Sequence, residues 1–327
     1  MRVDASLDIS MRESRFAAYV DAARNGKNAL WRIVLSVVII TVIWVVASIA
    51  LVFAGVAVIL ARNGDWPFGL DEIFEAFDYK ALVATPLGTV AMLLSVASLW
   101  IAVWVALKIV HRRSIRDLFG LERRLNWPDF ARSTIVTLVV GIVLGPIALL
   151  IDPTVIRNSI SFTDWLAAAP LLLMALFLQT SAEELAFRGY LQQALAARFA
   201  TPVIWLGLPT VLFTLLHWHG EGTTAMNFAG LFIILGFSLC MTWLLMASGN
   251  LAAAMGAHFG NNIGVLMLFT YEPDLGAAAL FMGRAVSDPN WTVPQAVMFA
   301  LYGVLVIAVA QVLLLHRASP LRLRSLS

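Results

Sequence analysis

The stretch IVLSVVIITVIWVVASIALVFAGVAVIL, residues 33–60, contains no charged side chain and decides the fold class of the chain. A membrane-spanning helix needs about 20 mostly apolar residues, because about 30 Å of hydrocarbon is crossed at about 1.5 Å per residue. Similar apolar stretches recur along the chain, and we predict spans at 33–60, 86–110, 132–151, 164–186, 202–219, 226–246, 251–271 and 294–316. The sequence therefore predicts an all-α, polytopic transmembrane helical bundle with about eight spans.

The composition supports the same class of protein. Of the 327 residues, 61% are apolar and only 13% are charged, whereas a soluble domain has about 45–50% apolar and about 25% charged residues. The net charge of +2 is too small to indicate a nucleic-acid partner. Cys240 is the single cysteine, so the chain forms no internal disulfide. We predict an integral membrane protein whose solvent is the lipid bilayer.

The apolar stretches also define the domain organisation. We expect residues 1–30 to form a retained cytoplasmic segment, residues 31–317 the eight-helix membrane domain, and residues 318–327 a cytoplasmic tail. Within the first segment, residues 11–24 are interpreted either as an amphipathic helix at the membrane interface or as a frayed tail.

The basic residues predict the orientation in the membrane. Eighteen of the 22 Lys and Arg fall on one side of the eight predicted spans, in residues 1–32 and 108–132 and at Arg188, Arg198, Arg317, Arg322 and Arg324. Because such residues concentrate on the cytoplasmic side, both termini are predicted to be cytoplasmic. The acidic segment 65–78 and the loop 272–293 then lie outside. Arginine outnumbers lysine nineteen to three, which favours a GC-rich bacterial genome and hence the bacterial inner membrane.

Polar residues within the apolar stretches are the candidates for function. Ionisable side chains deep in a bilayer cost several kcal/mol and are rare unless they serve a site or pair with each other. They concentrate in residues 181–188, 213–219 and 258–262, and in a basic run after the second span. The basic run consists of His111, Arg112, Arg113 and Arg116 and is assigned a structural or lipid-headgroup role.

The first of these segments carries two adjacent acids with different expected roles. Glu183 and Glu184 point about 100° apart on a helix, so they cannot serve one site equally. Glu184 and Arg188 have the i,i+4 spacing of a helical ion pair, which leaves Glu183 without a local counter-charge. The alternative is that all three only brace neighbouring helices or mark the end of the span.

The second segment places a histidine at the same expected depth as Glu183. The helix that contains Glu183 is predicted to continue to Arg198 and to turn at Pro202 into the next span. Glu183 and His217 then lie at equal distances from the turn, about 25 Å along antiparallel helices. A buried carboxylate level with an imidazole suits general-base catalysis or metal ligation. The alternative is a hydrogen-bonded packing histidine; His219 is a weaker candidate.

The third segment combines a packing face with a polar face. A small residue recurs at every fourth position, at Ala252, Gly256, Gly260 and Gly264, and such a ridge allows close approach of another membrane helix. His258 and Asn262 lie on another face, again at i,i+4. The alternative is that this pair only hydrogen-bonds between helices. Gly141 and Gly145 predict a second close-packing contact.

Three motifs occur in this order on separate apolar helices: Glu183-Glu184-x-x-x-Arg188, Phe213-x-x-x-His217 and His258-x-x-x-Asn262. The set resembles the intramembrane endopeptidases that include the type II CAAX prenyl proteases and the bacterial bacteriocin-processing and self-immunity proteins, also called the CPBP or Abi family. The resemblance covers about residues 135–275, which we interpret as the protease core.

The resemblance implies a role for each matching residue. Glu183 would activate water, and His217 would assist it as partner or proton carrier. His258 and Asn262 would hold and polarise the scissile carbonyl and stabilise its oxyanion. The supporting residues would be Glu184, Arg188 and Phe213. The predicted function is therefore hydrolysis of a peptide bond in a membrane-associated peptide or protein.

Alternatives remain open for the mechanism and the activity. Glu183, His217 and His258 match a two-histidine, one-carboxylate zinc shell, but we favour the metal-free mechanism because no H-E-x-x-H helix is present. The second alternative is a catalytically silent immunity factor or scaffold of the same family. A proton-coupled transporter is disfavoured by the lack of paired repeats.

Overall fold

The computed structural model describes residues 5–24, 27–63, 85–218, 220–272, 276 and 278–326. In this part of the chain nine helices form the architecture, and the predicted all-α class is confirmed. They are α1 Ala5–Arg24, α2 Leu30–Asn63, α3 Pro86–His111, α4 Trp127–Ile151, α5 Phe162–Arg198, α6 Val203–Leu215, α7 Thr224–Ser248, α8 Ala252–Asn262 and α9 Val293–Leu315. A π-helical segment, Ile263–Leu268, continues α8.

Each of the eight predicted spans overlaps one of the helices α2 to α9. Among the described residues, six helices are long and apolar enough to cross a membrane: α2, α3, α4, α5, α7 and α9. Helix α6 is shorter, and α8 is almost entirely buried among the other helices. A helix surrounded by protein does not need the length that lipid exposure demands. The predicted acidic segment 65–78 lies outside the described residues.

The basic segments of the chain meet at one end of the bundle. The Gln193 amide donates to the carbonyl oxygens of Tyr19 (2.9 Å) and Asp117 (3.0 Å), which joins α5 to α1 and to the loop after α3. The backbone N–H groups of Arg324 and Ser325 donate to the Asp129 carboxylate at 2.7 and 3.3 Å. The C-terminal tail therefore docks on α4, at the same end as the other basic segments.

Helix α1 packs on the protein and is therefore not a frayed tail. Among its described side chains, Phe16, Tyr19, Val20 and Ala23 are buried. The Tyr19 hydroxyl lies 3.1 Å from the Leu118 carbonyl oxygen and 3.3 Å from that of Gly189. Burial, only partly opposed by the nearby Arg113 charge, raises the pKa of Tyr19. The hydroxyl stays protonated and ties α1 to α5.

His111, the first residue of the basic run, is buried in a hydrogen-bonded cluster. Its Nδ1 lies 2.9 Å from the Lys27 carbonyl oxygen, an acceptor, so Nδ1 carries the proton. Its Nε2 then accepts from the hydroxyl groups of Tyr190 (2.9 Å) and Ser36 (3.1 Å). The imidazole therefore braces α2, α3 and α5 against one another, in agreement with a structural role.

The glycine ridge brings α8 into backbone contact with α4. A Cβ atom at Gly256 would overlap the carbonyl oxygen of Phe130, and one at Gly260 would overlap that of Thr134. The Thr134 hydroxyl also lies 3.0 Å from the Gly256 carbonyl oxygen. The predicted close approach is therefore present at two of the ridge positions.

The ridge and the second glycine motif make fewer contacts than predicted. Among the described residues, a Cβ at Gly264 would meet no atom within 4 Å. The same holds for Gly141 and Gly145, so the predicted packing contact in α4 is not formed with any described part of the chain.

The opposite end of the bundle carries a small sheet that hydropathy does not predict. It has the order β1-β3-β2, with β1 Ile156–Arg157 antiparallel to β3 Phe281–Met282, and β2 Phe269–Thr270 parallel to β3. Ile156 pairs with Met282 and Phe269 with Phe281. The sheet ties the connection before α5 to the connection between α8 and α9.

The backbone contact at Gly256 predicts that alanine substitutions at Gly256 and Gly145 change the stability of the protein in opposite directions. We expect Gly256→Ala to destabilise the folded protein by about 1–3 kcal/mol, because the added methyl group meets backbone that cannot rotate away. The matched control is Gly145→Ala, which has open space and gains helix propensity of up to about 1 kcal/mol. Thermal unfolding in detergent measures both. Equal melting temperatures for the two variants would contradict the contact.

Candidate active site

Three helices carry the side chains of the site. Helix α5 supplies a polar face of Gln179, Glu183, Glu184 and Arg188, at i,i+4 spacings. Directly after Glu184 the helix widens into a π-helical segment, Leu185–Gln192; such segments are frequent at functional sites. Helix α8 supplies His258, Asn261 and Asn262, while α6 supplies Phe213 and is followed by His217.

A buried charge cluster forms the inner part of the site. One oxygen of Glu184, Oε1, lies 3.1 Å from Arg188 Nη1 and 2.8 Å from His258 Nδ1. The exposed fractions of Glu184, Arg188 and His258 are 0%, 1% and 3%. The predicted ion pair between Glu184 and Arg188 is present, and His258 joins it as a third member. Pairing lowers the cost of charges in an apolar bundle.

Arg188 is held on its remaining sides as well. Its Nη2 lies 2.9 Å from the Ser238 hydroxyl of α7, and its guanidinium stands 4.2 Å from the centre of the Phe213 ring. The cation–π contact and the hydrogen bond fix the guanidinium against α6 and α7. The carboxylate of Glu184 therefore sits in a framework to which four helices contribute.

Each of the two acids has one oxygen, Oε2, without a hydrogen-bond partner among the described residues, but of the two only Glu184 forms an ion pair with an arginine. Glu183 Oε1 accepts a 2.7 Å hydrogen bond from Gln179 Nε2. Its Oε2 is buried, has no hydrogen-bond partner among the described residues, and lies 3.7 Å from His258 Nε2. The exposed fraction of Glu183 is 9%. The two adjacent acids thus have the different environments that the helix geometry predicts.

The hydrogen bond at Nδ1 determines the tautomer of His258. A carboxylate only accepts hydrogen bonds, so Nδ1 carries the proton that points at Glu184. In the neutral ring, Nε2 is then an acceptor that faces a second acceptor, Glu183 Oε2, and a water molecule can donate to both atoms. Phe237 stands edge-on to the ring at 4.8 Å and Phe213 at 6.3 Å. The polar pair therefore has apolar walls.

His217 contacts Phe213. Its Nδ1 lies 2.8 Å from the Phe213 carbonyl oxygen and its ring 4.6 Å from the Phe213 ring. Within the described residues it shares no hydrogen bond or ion pair with Glu183. The depth argument assumed equal rise along two α-helices, but both arms contain π-helical segments and α6 ends at Leu215. His219 lies outside the described residues.

Two amides that the motifs do not include complete the polar cluster. Asn262 Nδ2 lies 3.5 Å from Gln179 Oε1, and Asn261 Nδ2 lies 3.0 Å from Asn262 Oδ1. The sequence signal for Gln179 was its position four residues before Glu183, on the same helical face of an apolar span. The structure thus brings Asn262 to the site through a side chain that motif matching overlooks.

The zinc alternative requires a ligand set that the described residues do not assemble. No group of three or more His, Cys, Asp or Glu side chains in the described ranges is placed to hold a metal ion. His258 Nδ1 is engaged by Glu184 and His217 Nδ1 by a backbone carbonyl, which leaves Nε2 of each ring as the nitrogen that could bind a metal. The alternative shell of Glu183, His217 and His258 is not gathered at one point among the described residues.

The charge cluster predicts a large stability effect at Glu184. We expect Glu184→Gln to destabilise the protein by about 3–5 kcal/mol, because Arg188 is left buried without its counter-charge. The matched control is Glu122→Gln, which removes a solvent-exposed partner of Arg124 and costs about 0–1 kcal/mol. Thermal unfolding in detergent compares the two, and a loss no larger than that of the control would argue against a stabilising cluster.

Comparison with known proteins supports the motif-based interpretation. Residues 165–264 match the family described as type II CAAX prenyl endopeptidase Rce1-like, and this range contains every predicted site residue from Glu183 to Asn262. The chain is 28% identical over 285 residues to the uncharacterized protein YyaK of Bacillus subtilis strain 168, covering 84% of this chain and 92% of YyaK. No solved structure matches the chain significantly. The predicted family resemblance is thus confirmed, and residues 165–264 carry the similarity to the Rce1-like type II CAAX prenyl endopeptidases.

Proposed function

We propose that this protein is an intramembrane endopeptidase that hydrolyses a peptide bond of a membrane-associated peptide or protein. The observation that carries the proposal is the free oxygen of Glu183, buried opposite His258 within the segment that resembles CAAX endopeptidases. A general base needs an available lone pair within reach of the water it activates. Glu184 is less suited to this role: its Oε2 also lacks a hydrogen-bond partner among the described residues, but its Oε1 is paired with Arg188 and His258 and the side chain is fully buried.

The proposed reaction uses water and no covalent intermediate. Glu183 Oε2 accepts a proton from a water molecule as the water oxygen attacks the scissile carbonyl carbon. Asn262 donates an amide N–H to the oxyanion that forms. The proton is then delivered to the leaving nitrogen as the C–N bond breaks, which yields a carboxylate and an amine.

The two histidines are proposed to handle protons. When His258 Nε2 accepts a proton, the Glu184 carboxylate at Nδ1 stabilises the imidazolium, so His258 can pass the proton onward or bind the oxyanion. His217 is assigned the assisting role that the resemblance implies, from the far side of Phe213. Its Nε2 makes no hydrogen bond within the described residues and is available for this role.

We further propose that both termini are cytoplasmic, that the membrane is a bacterial inner membrane, and that residues 135–275 form the catalytic core. The gathering of the basic segments at one end of the bundle supports the orientation. Access to the site is then from the cytoplasmic side. The excess of arginine over lysine, typical of GC-rich bacteria, favours a peptide substrate without a prenyl group.

The enzyme proposal predicts that Glu183→Gln abolishes processing, with turnover reduced about 10²–10⁴-fold, because the amide cannot accept the water proton. The measurement is comparative peptide profiling of membranes that contain the wild-type or the variant protein. Peptides released only by the wild type are the expected result. The matched control is Glu122→Gln, an exposed acid far from the site, which should release the same peptides as wild type.

His258→Ala and His217→Ala are expected to remove the same peptides while the amount of folded protein in the membrane is unchanged. If Glu183→Gln retains the full peptide profile and phenotype, the protein acts as a catalytically silent immunity factor or scaffold. If only His217→Ala is active, the assisting role belongs to His258 alone.

The metal-free mechanism predicts that cleavage survives metal removal. We expect the purified protein to contain substoichiometric zinc and to release its peptides at an unchanged rate after treatment with a chelator, because the proposed base and proton carrier are both side chains. Elemental analysis and the same peptide assay measure this. Stoichiometric zinc whose removal abolishes cleavage would replace this mechanism with the zinc-dependent alternative.

A further inference from the structure

Three side-chain amides form a row that ends on Glu183. Asn261 Nδ2 donates to Asn262 Oδ1 at 3.0 Å, Asn262 Nδ2 donates to Gln179 Oε1 at 3.5 Å, and Gln179 Nε2 donates to Glu183 Oε1 at 2.7 Å. The row crosses from α8 to α5. Gln179 is 8% exposed, and both asparagines are half-buried.

The carboxylate fixes the direction of the whole row. Because an ionised Glu183 only accepts hydrogen bonds, the Gln179 group that faces it must be the amide nitrogen. The Gln179 carbonyl oxygen therefore faces Asn262, which must in turn present its own amide nitrogen. Each amide thus points its donor toward Glu183 and its acceptor away from it, so the bonds polarise one another in the same sense.

This direction determines what Asn262 presents to a substrate. An amide nitrogen carries two hydrogens, and Gln179 Oε1 takes one of them. The Asn262 carbonyl oxygen accepts a hydrogen bond from Asn261. The second N–H of Asn262 has no partner among the described residues, and it is a donor, as an oxyanion requires. A reversed amide would place its carbonyl oxygen there and repel the oxyanion.

We propose that Gln179 is a positioning residue that couples the base Glu183 to the oxyanion donor Asn262. It holds Glu183 Oε1, which leaves Oε2 as the oxygen for water, and it orients the Asn262 amide. This inference rests on the proposed function. If these hydrogen bonds only joined α5 to α8, Gln179 would not need to contact Glu183. The three amides would also not need to point in the same direction.

The first test needs no turnover. Infrared spectroscopy of protein labelled with ¹³C-carboxylate glutamate identifies the Glu183 band as the one absent from Glu183→Gln. Gln179→Met keeps the length of the side chain but removes the donor, and we expect it to shift the Glu183 band. The matched control is Gln311→Leu in α9, which should leave the band in place. An unmoved band in Gln179→Met overturns the proposed hold on Glu183.

The second test uses a peptide that the profiling identifies as a product of this protein. We expect Gln179→Met to lower kcat about tenfold to a hundredfold, because a hydrogen bond to a charged group is lost, while KM changes by less than about twofold. Gln179→Leu, which likewise has no donor, is expected to lose about as much. It replaces Gln179→Met if that variant does not fold.

A double-mutant cycle separates positioning from general stability. If Gln179 acts through Asn262, Gln179→Met costs clearly less in an Asn262→Ala background than in the wild type. Additive losses in kcat would overturn the coupling. A shifted infrared band in a protein that cleaves no peptide would support the hold on Glu183 while rejecting the proposed function, so the two failures are distinguishable.

Discussion

The structure of the site depends on a single carboxylate oxygen, Glu184 Oε1. It receives both the Arg188 guanidinium and the His258 imidazole, and all three side chains are buried. Removing a charge from such a cluster leaves its partner unpaired in an apolar medium, which is far more costly than losing an exposed ion pair. The position and tautomer of His258 therefore follow from Glu184, and the environment of Glu183 follows from His258.

The glycine ridge of α8 makes this arrangement sterically possible. His258 can reach between the two acids of α5 because Gly256 and Gly260 let α8 lie against the backbone of α4. In a membrane, helices gain little from the hydrophobic effect against one another, so close packing and polar contacts hold them together. One face of α8 packs against α4, and the other face makes the polar contacts with α5. A side chain added on the packing face would push α8 away from α4 and displace the polar side chains.

Much of the fold and part of the site followed from local rules. Apolar length identified the helices, and i,i+4 spacing identified the pair Glu184 and Arg188. Features that depend on contacts between helices did not follow from these local rules. Gly141 and Gly145 have the right spacing but meet no neighbour among the described residues, and the π-helical segments of α5 and α6 break the equal rise that the depth argument for His217 assumed. Gln179 was missed because an isolated polar residue in a span has no motif until its partner, Asn262, is known.

The adjacent acids show why two carboxylates are more useful here than one. A single carboxylate that both held His258 and activated water would have to exchange its hydrogen bonds during each turnover, and in an apolar bundle every broken bond to a charged group is costly. The 100° offset between neighbouring helical residues allows the tasks to be divided. In the proposed mechanism Glu184 holds Arg188 and His258 through Oε1, whereas Glu183, held by Gln179 on Oε1, uses Oε2 for the water. Pre-arranged partners that do not move during the reaction are the form of electrostatic stabilisation that proteins use most effectively.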